Sequence, residues 1–160
     1  MNPFVFKNGR LHAEKIALDK IARKAGTPCY VYSATALLDN FRNLTSSLAG
    51  IPHLICYSVK ANSNLTLLRM LARRNSGFDI VSGGELYRVQ KAGGRPDKVV
   101  FSGVGKTEAE MEQALKAGIL LFNVESGEEL EALDRVALRL GKRASFALRV
   151  NPDVDAKTHR

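Results

Sequence analysis

The feature that most constrains the fold is a pattern repeated across residues 54–150. In each repeat a short apolar run is followed by polar residues, an amphipathic stretch and a glycine, and the runs begin 20 to 26 residues apart. Strands that alternate with helices at this spacing predict parallel strands joined by right-handed crossovers. The predicted strands are Leu54–Val59, Phe78–Val81, Val99–Ser102, Ile119–Val124 and Ser145–Val150. Because they are apolar throughout, we expect both of their faces to be buried.

The amphipathic stretches predict four helices, Asn64–Arg74, Gly84–Ala92, Glu108–Ala117 and Glu128–Leu140. Three of them begin with a capping-box pattern, at Ser82…Glu85, Thr107…Glu110 and Ser126…Glu129. No strand is followed by the Gly-x-Gly-x-x-Gly pattern of dinucleotide-binding sheets, and the even repeat favours a (β/α)8 barrel. A complete barrel needs about 250 residues. The fold class is therefore α/β, with five parallel strands that form a partial barrel or an open sheet.

The N-terminal residues follow a different pattern. Apolar residues within residues 13–25 lie at roughly helical spacing, and Gly26 ends that run. A short strand is predicted at Cys29–Tyr32, and Ser33 is positioned to cap a helix from Ala34 to about Ala49.

Composition excludes several classes of protein. The chain is 45% hydrophobic and 25% charged, which is typical of a soluble globular domain and not of a disordered tail. Its longest purely aliphatic and aromatic run, Ile119–Phe122, is too short to span a membrane, and residues 1–10 have no apolar core of signal-peptide length. The net charge is +8, but the basic residues are scattered, so neither a nucleic-acid partner nor a membrane partner is expected.

The cysteines and histidines give two further expectations. Cys29 and Cys56 lie inside apolar runs, which is typical of small buried thiols in a reducing compartment, so a cytoplasmic location is predicted. His12, His53 and His159 are isolated and lack metal-ligand spacing, so no metal site is expected.

Polar residues follow every predicted strand, at the edge where α/β proteins place their chemistry. Lys60 directly follows the apolar run Leu54–Val59, and burial there would lower the pKa of its amine and make it nucleophilic. The alternative is a lysine that reaches from the strand end to water. Asp79 and Arg149 lie within strands and need partners. If both point into the barrel mouth, they could join one ionic network with Lys60. The capping role of Glu85 could by itself explain that residue.

The segment Ser102–Thr107 partly matches a phosphate-binding loop, because it lies between a strand and a helix and ends in Gly-Lys-Thr. The full motif needs a glycine where Val100 stands, inside the strand. A tight turn with Thr107 as the helix cap is therefore favoured over a nucleoside triphosphate site.

Five segments in order resemble one known family. Tyr57–Asn62 is similar to the cofactor-lysine motif of the fold-type III pyridoxal-phosphate decarboxylases. The others resemble the branch of that family that acts on diaminopimelate, and they are Gly77–Leu86, Val100–Thr107, Phe122–Ser126 and Leu148–His159.

The resemblance implies a site and a reaction. Lys60 would hold pyridoxal 5′-phosphate as a Schiff base, with Asn62 flanking the cofactor and Asp79 beside it. Glu85 and Arg149 would form a supporting ionic network. The reaction would be that of a lyase, which decarboxylates meso-2,6-diaminopimelate to L-lysine and carbon dioxide as the last step of lysine biosynthesis.

The resemblance also implies a domain division and a truncated chain. Residues 1–32 are expected to pack on a C-terminal β-domain that lies outside the sequence, and residues 33–160 to form an incomplete cofactor-binding barrel. The full-length enzyme would be a homodimer, and the 160 residues alone are expected to be inactive. The alternatives are a related ornithine, arginine or carboxynorspermidine decarboxylase, or a non-catalytic half-barrel that binds pyridoxal phosphate.

Overall fold

The computed structural model describes residues 2–152 and residue 154, and the chain folds as two compact units, residues 1–53 and residues 54–160. Most of the Leu148–His159 segment beyond Pro152 lies outside the described residues, as does His159 itself.

The first unit contains a three-stranded antiparallel sheet that the sequence analysis missed. Its strands, in the order β1-β2-β3, are β1 (Phe4–Lys7), β2 (Arg10–Ala13) and β3 (Ile16–Ala17). Asn8 and Gly9 connect β1 to β2, and both have positive φ, 50° and 73°. This is the backbone that a two-residue hairpin turn requires and that the Asn-Gly pair adopts readily. The helix predicted over residues 13–25 is therefore wrong in its first part.

Two helices follow the sheet, α1 (Leu18–Ala25) and α2 (Ala34–Ser47). The predicted cap of α2 is confirmed, since the Ser33 hydroxyl accepts the amide of Ala36 at 3.0 Å. Glu14 accepts the Ser33 hydroxyl at 2.6 Å and the amide of Thr35 at 2.9 Å, so its carboxylate ties the sheet to the start of α2. The strand predicted at Cys29–Tyr32 does not form, and Cys29 is exposed rather than buried.

The second unit is a parallel sheet in the order β4-β5-β6-β7-β8, with a helix after each of the first four strands. The predicted strands and helices of this region are confirmed, with ends that differ by no more than two residues. The strands are β4 (Cys56–Ser58), β5 (Gly77–Ile80), β6 (Val99–Phe101), β7 (Leu121–Val124) and β8 (Phe146–Leu148). The helices are α3 (Leu65–Ala72), α4 (Gly83–Lys91), α5 (Glu108–Ala117) and α6 (Gly127–Arg139).

The core of this unit lies between the sheet and its helices. It is built on one face of the central strands, where Phe78, Ile80, Phe101 and Phe122 are almost fully buried and the rings of Phe101 and Phe122 stack at 5.9 Å. Residues on the other face, such as Asp79, are only half-buried, and β8 is exposed along its length. The expectation that both faces are buried is therefore wrong for these residues. The half-buried face is the one that points into the interior of a barrel.

Gly77 begins β5 and lies between Cys56 on β4 and Lys98, the residue before β6. A Cβ atom on this residue would lie 2.6 Å from the Cys56 sulfur and 2.7 Å from the Lys98 carbonyl oxygen. Only a glycine leaves room for β5 to lie at this distance from its two neighbours.

The three predicted capping boxes have different outcomes. The box at Thr107 is complete, because its hydroxyl accepts the amide of Glu110 and the Glu110 carboxylate accepts the amide of Thr107. Ser82 and Ser126 also cap their helices, but there the glutamate reaches one residue further back. Those two bonds run from the Val81 amide to Glu85 at 2.8 Å and from the Glu125 amide to Glu129 at 3.1 Å. Each carboxylate thus fastens a strand end to the helix that follows it.

Candidate functional site

Lys60 lies on the single turn of 3-10 helix, Val59–Ala61, that directly follows β4. Val59 is fully buried and anchors this turn, whereas Lys60 is exposed. Within residues 2–152 and 154 its amine has no hydrogen-bond or ion-pair partner. Of the two interpretations that the sequence left open, the exposure of Lys60 agrees with a side chain that reaches from the strand end to water. An amine without a competing partner at a strand end is nonetheless suited to bond covalently to a carbonyl compound.

Asn62 shapes the turn that carries Lys60. Its side-chain oxygen accepts the amide of Asn64 at 3.0 Å, and its backbone carbonyl accepts the Tyr57 hydroxyl at 3.3 Å. Asn64 in turn caps α3 by accepting the amide of Thr66 at 2.8 Å. These bonds fix the path of the chain from β4 into α3, and so they fix the position of the Lys60 backbone.

Asp79 is the centre of a chain of polar side chains, which we call the Asp79 chain. The hydroxyl of Ser102 donates to one carboxylate oxygen at 2.5 Å, and the hydroxyl of Ser58 donates to the other at 3.3 Å. The amide of Asn123 donates to the Ser102 oxygen at 2.9 Å. Four neighbouring strands contribute to this hydrogen-bonded chain. They supply Ser58 on β4, Asp79 on β5, Ser102 at the end of β6 and Asn123 on β7.

The negative charge of Asp79 acts on the neighbouring thiol of Cys56. Burial raises the pKa of Cys56, and the negative charge of Asp79 raises it further. Cys56 pairs with Gly77 in the register of β4 and β5, and Ser58 pairs with Asp79 two residues further along. Cys56 and Asp79 therefore point to the same face of the sheet. A thiol with a raised pKa is a poor nucleophile, which agrees with the interpretation of Cys56 as a packing residue.

Glu85 and Arg149 have partners other than those expected. The Glu85 carboxylate accepts the Val81 amide at 2.8 Å, in the turn that begins α4. Arg149 pairs with Glu125 at 3.1 Å, and its side chain is 54% exposed. In the part of the chain that the structure describes, neither residue forms an ion pair with Asp79 or with Lys60. The direct ionic network expected from the sequence does not form among these residues.

Lys106 is a residue whose importance the sequence analysis missed. Its side chain is fully buried, with 0% exposed, and its ammonium donates to the carbonyls of Gly103 at 2.6 Å and Asn123 at 2.7 Å and to Glu129 at 2.7 Å. An ammonium has three protons, and all three are used. No proton is left for a phosphate, which excludes the phosphate-loop interpretation. The turn with Thr107 as helix cap is confirmed.

Glu125 connects the surroundings of Lys106 to Arg149, the residue after β8. One of its oxygens accepts the Gly103 amide at 2.9 Å, and the other pairs with Arg149. We call Lys106, Glu129, Glu125 and Arg149 the Lys106 cluster. The sequence showed polar residues at each of these strand ends, but nothing in it indicated which of them would meet.

Among the described residues no group of three or more His, Cys, Asp or Glu side chains is arranged to hold a metal ion. None of the helices in that same part of the chain has the length and apolar character needed to cross a membrane.

Comparison with known proteins gives the family. The model of the family described as pyridoxal-dependent decarboxylase, pyridoxal binding domain, matches residues 35–160. The chain belongs to this family. Within the pyridoxal-dependent decarboxylases, it is 58% identical over 159 residues to the diaminopimelate decarboxylase of Pseudomonas aeruginosa, covering 99% of this chain and 38% of that protein. It is 58% identical over 153 residues to the diaminopimelate decarboxylase of Vibrio cholerae, covering 96% of this chain and 37% of that one.

A solved structure of the same family agrees with the fold. The diaminopimelate decarboxylase of Helicobacter pylori, crystallised with L-lysine, superposes with a TM-score of 0.85 at 46% identity over 89% of this chain and 36% of that one. The partial barrel predicted from the sequence is thereby confirmed. The chain spans less than two-fifths of the length of these relatives.

Proposed function

We propose that this chain is the cofactor-binding part of an enzyme that removes one carboxylate from meso-2,6-diaminopimelate to give L-lysine and carbon dioxide. The observation that carries the proposal is the 58% identity to a diaminopimelate decarboxylase over almost the whole chain. L-Lysine in the structure of the Helicobacter pylori relative is consistent with this product. Because the chain corresponds to 38% of such a relative, the complete activity is proposed for the full-length protein that contains it.

The described residues fit pyridoxal 5′-phosphate as the cofactor. Lys60 offers an exposed amine without a partner, as covalent attachment to an aldehyde requires. Asp79 supplies a half-buried carboxylate on the strand next to β4, which fits its expected place beside the cofactor and Lys60. When bound, the cofactor supplies an acceptor for the electron pair left by the departing carboxylate.

Each of the predicted residues is assigned one role in this proposal. Lys60 holds the cofactor, Asn62 holds the turn on which Lys60 lies, and Asp79 fixes negative charge beside the cofactor. Glu85 and Arg149 support the site indirectly. Glu85 fastens the end of β5 to α4, and Arg149 joins β8 to the Lys106 cluster through Glu125.

The test is an assay of the full-length protein that contains residues 1–160, loaded with pyridoxal phosphate. We expect meso-2,6-diaminopimelate to yield equimolar L-lysine and carbon dioxide. Ornithine, arginine and carboxynorspermidine are assayed in parallel because they are the substrates of the alternative decarboxylases. Turnover of one of these in place of diaminopimelate would reassign the substrate, and turnover of none would favour a non-catalytic cofactor-binding protein.

The family resemblance also carries proposals for the rest of the molecule. We propose that residues 1–32 pack on a further β-domain of the full-length protein and that the barrel begins at about residue 33. The start of the family match at residue 35 supports this boundary, although the compact units divide after residue 53. Limited proteolysis of the full-length protein tests it, since cleavage near residue 33 is expected before cleavage near residue 53.

A homodimer in the cytoplasm completes the proposal. Free thiols at Cys29 and Cys56 are consistent with a reducing compartment. Light scattering of the full-length protein should give twice the mass of one chain, and a monomer would contradict the proposed assembly. Fractionation of cells that produce the protein should recover it with cytoplasmic markers.

A further inference from the structure

The hydrogen bonds of the Asp79 chain have a direction. Ser102 has a single hydroxyl proton, and its oxygen already accepts a hydrogen bond from the Asn123 amide at 2.9 Å. The hydroxyl proton is therefore directed to Asp79, at 2.5 Å. A short bond from a hydroxyl to a carboxylate is among the stronger hydrogen bonds in proteins. The bond from Ser58 to the other oxygen is longer, at 3.3 Å, and so it restrains the carboxylate less.

Asn123, whose side-chain amide donates to Ser102, is itself held in place. The backbone carbonyl of Asn123 accepts the buried ammonium of Lys106 at 2.7 Å, and the same ammonium binds the Gly103 carbonyl at 2.6 Å. Gly103 follows Ser102 in the chain, so one buried charge fixes both ends of the Asn123–Ser102 hydrogen bond. Ser102 therefore has little freedom to turn its hydroxyl away from Asp79.

From this geometry we propose that Ser102 is a positioning residue, whose hydroxyl, oriented by Asn123, holds the Asp79 carboxylate toward β6 in the orientation that the cofactor site requires. Part of this inference rests on the proposed function, since it assigns Asp79 to the cofactor site. The arrangement of Ser102, Asn123 and Asp79 does not depend on that assignment and can be tested without the cofactor.

The cofactor-free test uses Cys56 as a reporter of where the Asp79 carboxylate lies. In Ser102→Ala the carboxylate keeps only its bond to Ser58, on the strand that also carries Cys56, so its charge moves toward the thiol. In Ser58→Ala it keeps only its bond to Ser102, on the opposite side. We expect the pKa of Cys56 to rise in Ser102→Ala and to fall in Ser58→Ala. The measurement is the pH dependence of the alkylation rate of Cys56, read from its peptide by mass spectrometry in the full-length protein.

The control is Ser47→Ala, which removes a hydroxyl that bonds only to the Asn43 carbonyl on the exposed helix α2. It should leave the pKa of Cys56 unchanged, and circular dichroism should show that all three variants are folded. If Ser102→Ala and Ser58→Ala shift the pKa of Cys56 in the same direction, or leave that pKa unchanged, Ser102 does not position Asp79.

The second readout is affinity for pyridoxal phosphate, measured by absorbance titration. We expect Ser102→Ala to weaken binding about tenfold, the usual effect of one lost hydrogen bond to a charged group. Ser102→Thr keeps the hydroxyl and should restore affinity. In an Asp79→Asn background, Ser102→Ala should change affinity by less than about twofold, because the two residues act together. Additive effects would overturn the inference, and equal losses in the Ala and Thr variants would do the same. A wild-type protein that binds no cofactor would instead overturn the proposed function and leave the thiol test intact.

Discussion

Two lysines of this chain follow strands of the same sheet and have opposite surroundings. Lys60, after β4, is exposed and has no partner among the described residues. Lys106, after β6, has a side chain with 0% exposed and three acceptors within 2.7 Å. A nucleophilic amine needs a free electron pair, which an ammonium engaged in three hydrogen bonds cannot offer. The two residues therefore differ as an exposed amine without a described partner differs from a buried amine with three acceptors.

The contrast concerns two features of a lysine, which are its burial and the number of acceptors around its nitrogen. Lys106 is buried and donates all three of its ammonium protons, so hydrogen bonds hold it to its surroundings. Lys60 differs from Lys106 in both features, because it is exposed and has no acceptor among the described residues.

The largest expected effect comes from removing Lys60. In Lys60→Ala, the full-length protein should lose covalent attachment of pyridoxal phosphate completely, because no other described lysine is exposed directly after a strand of the parallel sheet. The measurement is peptide mass spectrometry after incubation with the cofactor and borohydride reduction. Lys116→Ala, on the exposed face of α5, is the matched control and should keep the adduct on the Lys60 peptide. A reduced adduct that survives in Lys60→Ala would contradict the proposed role.

A chemical comparison of the two lysines in one molecule comes next. In cofactor-free protein, an acylating reagent should modify Lys60 at least about tenfold faster than Lys106, because Lys106 reacts only when its buried surroundings open. Quantitative peptide mapping over a time course gives both rates. Equal rates would mean that the Lys106 cluster is not formed in solution.

The Lys106 cluster should contribute to stability in a way that Lys60 does not. Lys106→Met leaves the 10%-exposed Glu129 without its cation, and breaking a buried ion pair in this way costs about 3 kcal/mol of unfolding free energy. Urea denaturation of the full-length protein measures this loss. The exposed pair of Lys116 with Glu112 is screened by solvent and contributes little to stability, so Lys116→Met is the control.

A second variant separates the charge from the packing. Lys106→Met combined with Glu129→Leu removes both ions and should recover part of the lost stability, because apolar side chains tolerate the buried position. A double variant that is less stable than Lys106→Met would show that the cluster stabilises the fold by more than charge compensation.

The smallest expected effect comes from Glu110, whose carboxylate accepts hydrogen bonds from backbone amides instead of from a lysine. The Glu110 carboxylate accepts the Gly83 amide at 2.9 Å, and this bond, followed by those from Thr107, holds the pKa of Glu110 below its ordinary value. A lowered pKa means that Glu110 stabilises the folded state at neutral pH and that this contribution is lost as the pH falls below about 4.3.

Glu110→Gln is the variant that tests this sign. It should be less stable than wild type at pH 7, by well under about 1 kcal/mol because solvent screens this partly exposed carboxylate, and the difference should shrink as the pH is lowered. Thermal unfolding across that pH range measures it. A difference that grows in acid would show that the pKa of Glu110 is raised rather than lowered.

The sequence predicted the second unit well because its pattern is local. Each strand is a short apolar run, and each helix has an amphipathic stripe and a hydroxyl cap, so neighbouring residues determine each element. The first unit was predicted poorly because Ile16, Ala17 and Ile21 fit a helical period while the chain at Ile16 and Ala17 is extended. The Asn8-Gly9 pair, a strong hairpin signal, was available in the sequence and was not used.

The site was predictable only in part. Polar residues at strand ends were visible, and Lys60 and Asp79 were singled out because a charged residue stands out against an apolar run. Their partners depend on the register of parallel strands, which sequence spacing does not give. Ser102 bonds Asp79 across 23 positions of sequence, and Arg149 bonds Glu125 across 24, so these pairs emerge only from the folded sheet.

Gly77 has a consequence for how this gene tolerates mutation. Any side chain at this position would push β4 and β6 away from β5, and those strands carry Ser58 and lead into Ser102 on either side of Asp79. In a library of random variants selected for growth, position 77 should therefore be as intolerant of change as Asp79, although a glycine has no side chain with which to meet a ligand. A map of intolerant positions would then place Gly77 among the residues of the candidate site. The reason would be the spacing of β4, β5 and β6, and not a contact between Gly77 and a ligand.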